Sequence, residues 1–119
     1  MAQTSKATTP SLPELVGDDI RDRLGPRTEG SLWLAFVDRR GKLALCTPIA
    51  EGTGTVDDLL LRDLAELIRR FDMPGAVLVV HRTSGGGSRA DRRLWRALRQ
   101  RLDATGATRL DLLVIPATG

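Results

Sequence analysis

The segment AVLVVH, residues 76–81, constrains the fold of this chain more than any other stretch. It is a continuous apolar run rich in β-branched residues, which is typical of a β-strand covered on both faces. Such a strand needs a layer of structure on each side of its sheet. Because helical patterns precede and follow it, the sequence predicts a layered α/β fold.

Three segments have the apolar spacing of amphipathic helices. The first begins with a capping box formed by Ser11 and Glu14, and Pro13 suits a first helical turn. The second has the clearest separation of apolar and charged faces. Ser88 is the expected N-cap of the third. The predicted helices cover residues 11–23, about 56–71, and 88 to about 104.

The remaining strands complete an α-β-β-α-β-α-β order. Residues 31–37 and 42–49 flank a tight turn and predict a hairpin, and residues 110–115 form the last strand. Two helical crossovers imply parallel neighbours among the later strands. We therefore predict a three-layer α/β sandwich on a mixed sheet of about four strands, a single domain over 11–119 after a flexible tail at 1–10.

Composition excludes several classes of site. With one cysteine, Cys46, and one histidine, His81, the chain cannot form an internal disulfide, a cysteine-based zinc site or a two-histidine site. We expect Cys46 to be a small buried hydrophobe, and Trp33 and Trp95 to be core residues. No apolar run approaches the ~20 residues that span a bilayer, and residues 1–10 lack a secretory signal, so we expect a cytoplasmic protein.

Residues 77–91 hold most of the side chains suited to chemistry. A strand ends at His81, a glycine-rich turn follows, and a helix begins, which is where sites lie in α/β folds. Asp91 falls within the apolar arc of the third helix, so its carboxylate needs a partner. Because Ser88 and Asp91 have capping-box spacing, we expect helix capping to supply that partner. Asp91→Ala should then cost on the order of 1 kcal/mol.

From about residue 29 to residue 115, the order of landmarks resembles the JAB/JAMM metalloprotease-like domain, in its RadC-like branch. SLWLAFVDRRGKLAL is similar to that branch's strand, Asp-containing turn and strand, and AVLVVHRTSGGGSRAD resembles the strand leading to its His-x-His-Pro-Ser-Gly and Ser-x-x-Asp motifs. Smaller landmarks that match are Gly52-Thr53, Arg62-Asp63 and Leu110-Asp111.

The resemblance implies a degenerate metal site. In the family, two histidines and an aspartate bind zinc, and an upstream glutamate activates the bound water. By position, His81 matches the first histidine and Asp91 the aspartate, while Ser88 matches the serine and Glu29, loosely, the glutamate. The second histidine is absent, so we expect no cofactor and a structural hydrogen-bond cluster of His81, Asp91 and Ser88. Zinc would be present only in a residual hydrolase using Glu29, His81 and Asp91.

The glycine-rich loop permits a different kind of site. Residues 85–90 match G-x-G-x-x-[G/A] between a strand and a helix, where backbone N–H groups and the helix dipole favour phosphate. We prefer a simple flexible loop, and anion or nucleotide binding is the alternative. That alternative would use Arg82, Ser84, Gly85, Gly86, Gly87, Ser88 and Arg89.

The third helix also carries a row of arginines opposite its apolar face. Arg89, Arg92, Arg96 and Arg99 fall within roughly 80° of one another, with Arg93 at the margin. The row is either a solvated face or a surface for nucleic acid or an acidic protein. Because aromatic residues make up only 3% of the chain and stacking platforms are missing, we favour the solvated face. The net charge of +3 is mild.

These observations predict a non-catalytic, JAB/RadC-like interaction module of a bacterial cytoplasm. Its expected partner is another protein or a second copy of itself. Anion, nucleotide or nucleic-acid binding is one alternative, and a residual zinc-dependent hydrolase is the other.

Overall fold

A computed structural model describes residues 11–25, 27, 30–50, 58–83, 89–103 and 109–117. All seven predicted elements are present, with ends that differ from the predicted ones by one or two residues. The expected tail at 1–10 and the expected N-cap Ser88 lie outside the described residues. The elements are α1 (Leu12–Leu24), β1 (Leu32–Val37), β2 (Leu43–Ala50), α2 (Asp58–Phe71), β3 (Gly75–Arg82), α3 (Arg89–Asp103) and β4 (Arg109–Pro116).

The four strands form one mixed sheet in the order β2-β1-β3-β4. β1 pairs antiparallel with β2 and with β3, and β3 pairs parallel with β4. The predicted hairpin and the predicted parallel neighbours are therefore confirmed. Because β2 and β3 both run against β1, the α2 connection joins two parallel strands that are separated by β1.

The three layers are also confirmed, with helices on both faces of the sheet. Side chains that alternate along β1 and β3 divide between two clusters. Leu34, Phe36 and Leu78 pack with residues of α2 and α3 on one face. Val77 and Val79 pack with residues of α1 on the other. The central strand β3 is buried at every position from Gly75 to His81, as its apolar composition predicts.

Short polar contacts fix the ends of these elements. The hydroxyl of Ser11 accepts a hydrogen bond from the Glu14 backbone N–H at 3.3 Å, which caps α1. The neighbouring Leu12 N–H donates to the Asp111 carboxylate at 2.8 Å, so the start of α1 is attached to β4. In the hairpin turn, the Asp38 carboxylate accepts from the N–H groups of Arg40 and Lys42 at 2.8 and 3.0 Å.

Within the described ranges, no helix has the length and apolar character needed to cross a membrane.

Candidate functional site

The end of β3 and the start of α3 define the candidate site. His81 and Arg82 are consecutive residues of a strand, so their side chains point to opposite faces of the sheet. His81 shares its face with Val77 and Val79, which pack against α1. Arg82 points to the other face, where it contacts Asp91 of α3.

Asp91 forms a bidentate ion pair with Arg82. The Nε of Arg82 donates to Oδ2 of Asp91 at 2.9 Å, and Nη2 donates to Oδ1 at 2.5 Å. The Asp91 side chain is 4% exposed and the Arg82 side chain 23%, so the carboxylate is buried beneath its partner. The prediction that Asp91 faces inward is confirmed. A guanidinium from the neighbouring strand binds both carboxylate oxygens, a contact that the capping prediction did not include.

His81 is fully buried on the α1 side. Its ring Nδ1 donates to the Ser31 carbonyl oxygen at 3.2 Å, and its backbone N–H donates to the same oxygen at 3.1 Å. Burial lowers the pKa of His81, the hydrogen bond to Ser31 opposes that shift, and the positive charge of Arg27 adds to it. The imidazole is therefore neutral at pH 7, with its proton on Nδ1.

Arg27 and Trp33 lie on the same side as His81. The Arg27 guanidinium carbon is 4.8 Å from the centroid of the Trp33 ring, a cation–π distance, and Nε of Arg27 donates to the Leu24 carbonyl oxygen at 2.8 Å. Cys46 is half-buried against the α1-side cluster. Burial raises the pKa of its thiol, which the charge of Arg23 opposes, so the sulfur is protonated at neutral pH.

His81 and Asp91 do not fit a shared zinc ion. They lie on opposite faces of the sheet, and both Asp91 oxygens already accept hydrogen bonds from Arg82. The expected cluster of His81 with Asp91 is therefore wrong, because the strand pleat separates the two side chains. Glu29 and Ser88, which complete the family pattern, lie outside the described residues. Among the residues that the structure describes, no three His, Cys, Asp or Glu side chains are grouped to hold a metal ion.

Residues 84–88, the glycine-rich loop of the alternative anion site, lie outside the described residues. Its two flanking arginines are described. Arg82 points to Asp91, and Arg89 is exposed at the first residue of α3.

The arginine row of α3 lies on the outer surface of the molecule. Arg89, Arg92, Arg93, Arg96 and Arg99 are all exposed, while Asp91, Leu94, Leu98 and Leu102 form the buried side of the helix. Within the described part of the chain, none of these five arginines forms an ion pair. The guanidinium of Arg99 lies 5.4 Å from the centroid of the Trp95 ring.

Sequence reasoning missed two residues that position this region. The sequence offers Arg82 only as part of the alternative anion site, whereas the structure pairs its guanidinium with the inward-facing Asp91. Asp111 caps α1 and pairs with Arg109 at 3.4 Å. The two tryptophans, expected in the core, are half-buried at its margin, where Nε1 of Trp95 donates to the Leu110 carbonyl oxygen at 2.9 Å.

No protein-family model matches the chain, and no curated protein matches it. The resemblance to the JAB/RadC-like domain stays a prediction from the order of landmarks.

Proposed function

We propose that this chain is a non-catalytic, metal-free JAB/RadC-like interaction module of a bacterial cytoplasm. The ion pair between Arg82 and Asp91 carries the proposal. By position, Asp91 is the residue that would ligate a metal, and a guanidinium satisfies its carboxylate instead.

The electrostatics of this pair disfavour a divalent cation. A zinc ion ligated by Asp91 would sit a few ångströms from the fixed positive charge of Arg82, and the two charges would repel. Moving Arg82 aside would also leave a partly buried guanidinium without its carboxylate, which is costly. Catalytic zinc needs three protein ligands and an open position for water. Here the nearest histidine lies on the other side of the sheet.

An interaction module also needs a surface that the fold does not use for its own packing. The outer faces of α1 and α3 are such surfaces, because their charged side chains are exposed. They differ in sign. Exposed acids predominate on α1, whereas α3 presents arginines.

Metal analysis of the purified protein tests the metal-free part of this proposal. We expect zinc well below one equivalent in the wild type. We expect the same in Arg82→Ala, because freeing the Asp91 carboxylate does not bring His81 to its face of the sheet. Elemental analysis after dialysis against a zinc-containing buffer measures both.

Near-stoichiometric zinc in the wild type that is lost in His81→Ala would overturn the proposal and support a residual hydrolase. Zinc that appears only in Arg82→Ala would show that the ion pair blocks an otherwise competent site.

A further inference from the structure

The outer face of α3 is the most strongly charged described surface of this chain. We define the basic face as Arg89, Arg92, Arg96 and Arg99, with Arg93 at its margin. Although the sequence alone favours a solvated face, we propose that the basic face binds the phosphate backbone of a nucleic-acid duplex. This inference rests on the proposed function, because it names the partner of the interaction module.

No acid among the described residues neutralises the charge of the basic face. The nearest acid on the helix, Asp91, is buried on the opposite side and paired with Arg82. Asp103 is exposed, but it lies at the last residue of α3. Within the described residues, Arg89, Arg92 and Arg96 have no acidic partner. Unpaired guanidinium groups in a row create a positive potential that attracts an anionic polymer.

The far side of the molecule carries charge of both signs, so the net charge of +3 understates how positive the α3 side is. The exposed surface of α1 includes four acids and two arginines. These are Glu14, Asp18, Asp19, Asp22, Arg21 and Arg23. On that side Arg27 and Lys42 add to the two arginines of α1 and offset its four acids. A polyanion is therefore attracted more strongly to the α3 side than to the α1 side, which orients the complex.

The length of the basic face suits a duplex backbone. At a rise of about 1.5 Å per residue, Arg89 and Arg99 are about 15 Å apart along the helix axis. A B-form strand presents one phosphate about every 3.4 Å along its axis, so this length spans roughly four phosphates. Guanidinium groups also match phosphate geometry, because their planar fork donates two parallel hydrogen bonds.

The surroundings of the basic face favour a duplex over a single strand. Single strands are bound largely by stacking their bases on exposed aromatic rings. Three of the four aromatic rings are buried or covered by an arginine, and the fourth, Phe71 at the end of α2, is 39% exposed. Arg27 covers the ring of Trp33, Arg99 covers that of Trp95, and Phe36 contacts Phe71 with ring centroids 4.7 Å apart.

The same surroundings disfavour a protein partner on this face. Protein interfaces use arginine freely, but they are built around buried apolar or aromatic anchors, which the basic face lacks. The middle of the basic face is occupied by Arg92 and Arg96, and the apolar residues of α3 face the sheet.

Fluorescence anisotropy with a labelled random-sequence DNA duplex of about 20 base pairs, longer than the helix face, tests the inference. The variant is Arg92→Gln/Arg96→Gln, which removes two charges and keeps a side chain of good helix propensity. The matched control is Arg39→Gln/Arg40→Gln, which removes two exposed arginines from the turn between β1 and β2. Titrations at several salt concentrations give both affinity and salt slope.

We expect the wild type to bind the duplex in the micromolar range at low salt. The α3 variant should bind tens of fold more weakly at 0.1 M salt and reduce the salt slope by about two, because two counterion-releasing contacts are lost. The control in the turn should stay within roughly threefold of the wild type, since it leaves the basic face intact. Thermal melting of all three proteins confirms that each is folded.

Three results would overturn the inference. The first is that the α3 variant and the turn control weaken binding equally. The second is that the wild type does not bind the duplex below millimolar concentration. The third is that a single strand or an acidic peptide binds more strongly than the duplex. The zinc content of the same preparations separates the two proposals. A metal-free protein that does not bind the duplex would contradict only the inference of phosphate binding. Near-stoichiometric zinc would contradict the proposal of a metal-free module.

Discussion

His81 and Arg82, neighbouring residues of β3, have opposite electrostatic surroundings on the two sides of the sheet. On the α1 side, His81 is uncharged, fully buried and held by the carbonyl oxygen of Ser31. On the α3 side, Arg82 keeps its charge and shares it with the buried carboxylate of Asp91. The strand pleat thus places adjacent positions of the sequence in different layers with different electrostatics. A motif that needs both positions at one centre cannot be assembled here.

The largest effect on stability should come from breaking the ion pair between Arg82 and Asp91. Arg82→Ala leaves the 4% exposed carboxylate of Asp91 without its guanidinium and should lower the free energy of unfolding by about 3 kcal/mol. The apolar double variant Arg82→Met/Asp91→Leu should stay within about 1 kcal/mol of the wild type, since both charges of the ion pair are removed together. Denaturant unfolding of each variant measures both.

A different result would restore the capping explanation for Asp91. If Asp91→Ala cost about 1 kcal/mol and Arg82→Ala cost nothing, the helix N-terminus and not the ion pair would account for the carboxylate.

On the α1 side, the buried neutral His81 should make the free energy of unfolding depend on pH. The pKa of His81 is lowered in the folded protein, so the unfolded chain, with a pKa of about 6.5, binds the proton first. Above pH 6.5, the contribution of His81 to the free energy of unfolding should therefore be fully present. Below it, stability should fall by up to ~1.4 kcal/mol per pH unit, until the lowered pKa of the folded state is reached. Unfolding curves between pH 7 and pH 5, above the usual range of carboxyl titration, measure this.

His81 is the only histidine of the chain, which makes the control simple. His81→Gln keeps an N–H donor for the Ser31 carbonyl oxygen and removes the titration, so its stability should be nearly flat between pH 7 and pH 5. An unchanged slope in this variant would assign the pH dependence to another group.

The smallest effect should come from the polar contact that attaches α1 to the sheet. Asp111→Asn keeps the shape of the side chain and removes the negative charge beside the first turn of α1. The loss should be about 0.5–1 kcal/mol, as for other charge contacts with helix ends. Ser11→Ala, which removes the cap next to it, should cost a similar amount, roughly 1 kcal/mol. Thermal melts of both variants test whether the α1 side depends on such contacts far less than the α3 side depends on Arg82.

The fold was predictable because its signals are periodic and local. The apolar run of β3, the amphipathic pattern of α2 and the turn at Asp38 each identify an element without knowledge of the rest of the chain. The inward position of Asp91 followed from helix geometry in the same way. The order of the strands is a property of the whole sheet, and no short segment carries it.

The candidate site was less predictable, because it depends on the direction of side chains across elements. The pattern that matches His81 and Asp91 to a metal site counts positions along the chain and ignores the pleat between His81 and Arg82. The pairing of Arg82 with Asp91 is a contact between strand and helix, and it becomes visible once α3 is known to pack on the Arg82 side. The family-matched Glu29 lies outside the described residues.

The hydrogen bond from Leu12 to Asp111 joins residues 99 positions apart, the first turn of the first helix to the last strand. A ribosome makes α1 early and β4 about a hundred residues later, at roughly 5–20 residues per second. In the first part of this time the apolar side of α1 lacks the strands that cover it, and after β3 is made one edge of β3 stays unpaired until β4 follows. The α1 layer is complete only after β4 has emerged, because Leu113 and Ile115 of β4 belong to its core, so during synthesis this part of the chain is open to chaperones and to premature association.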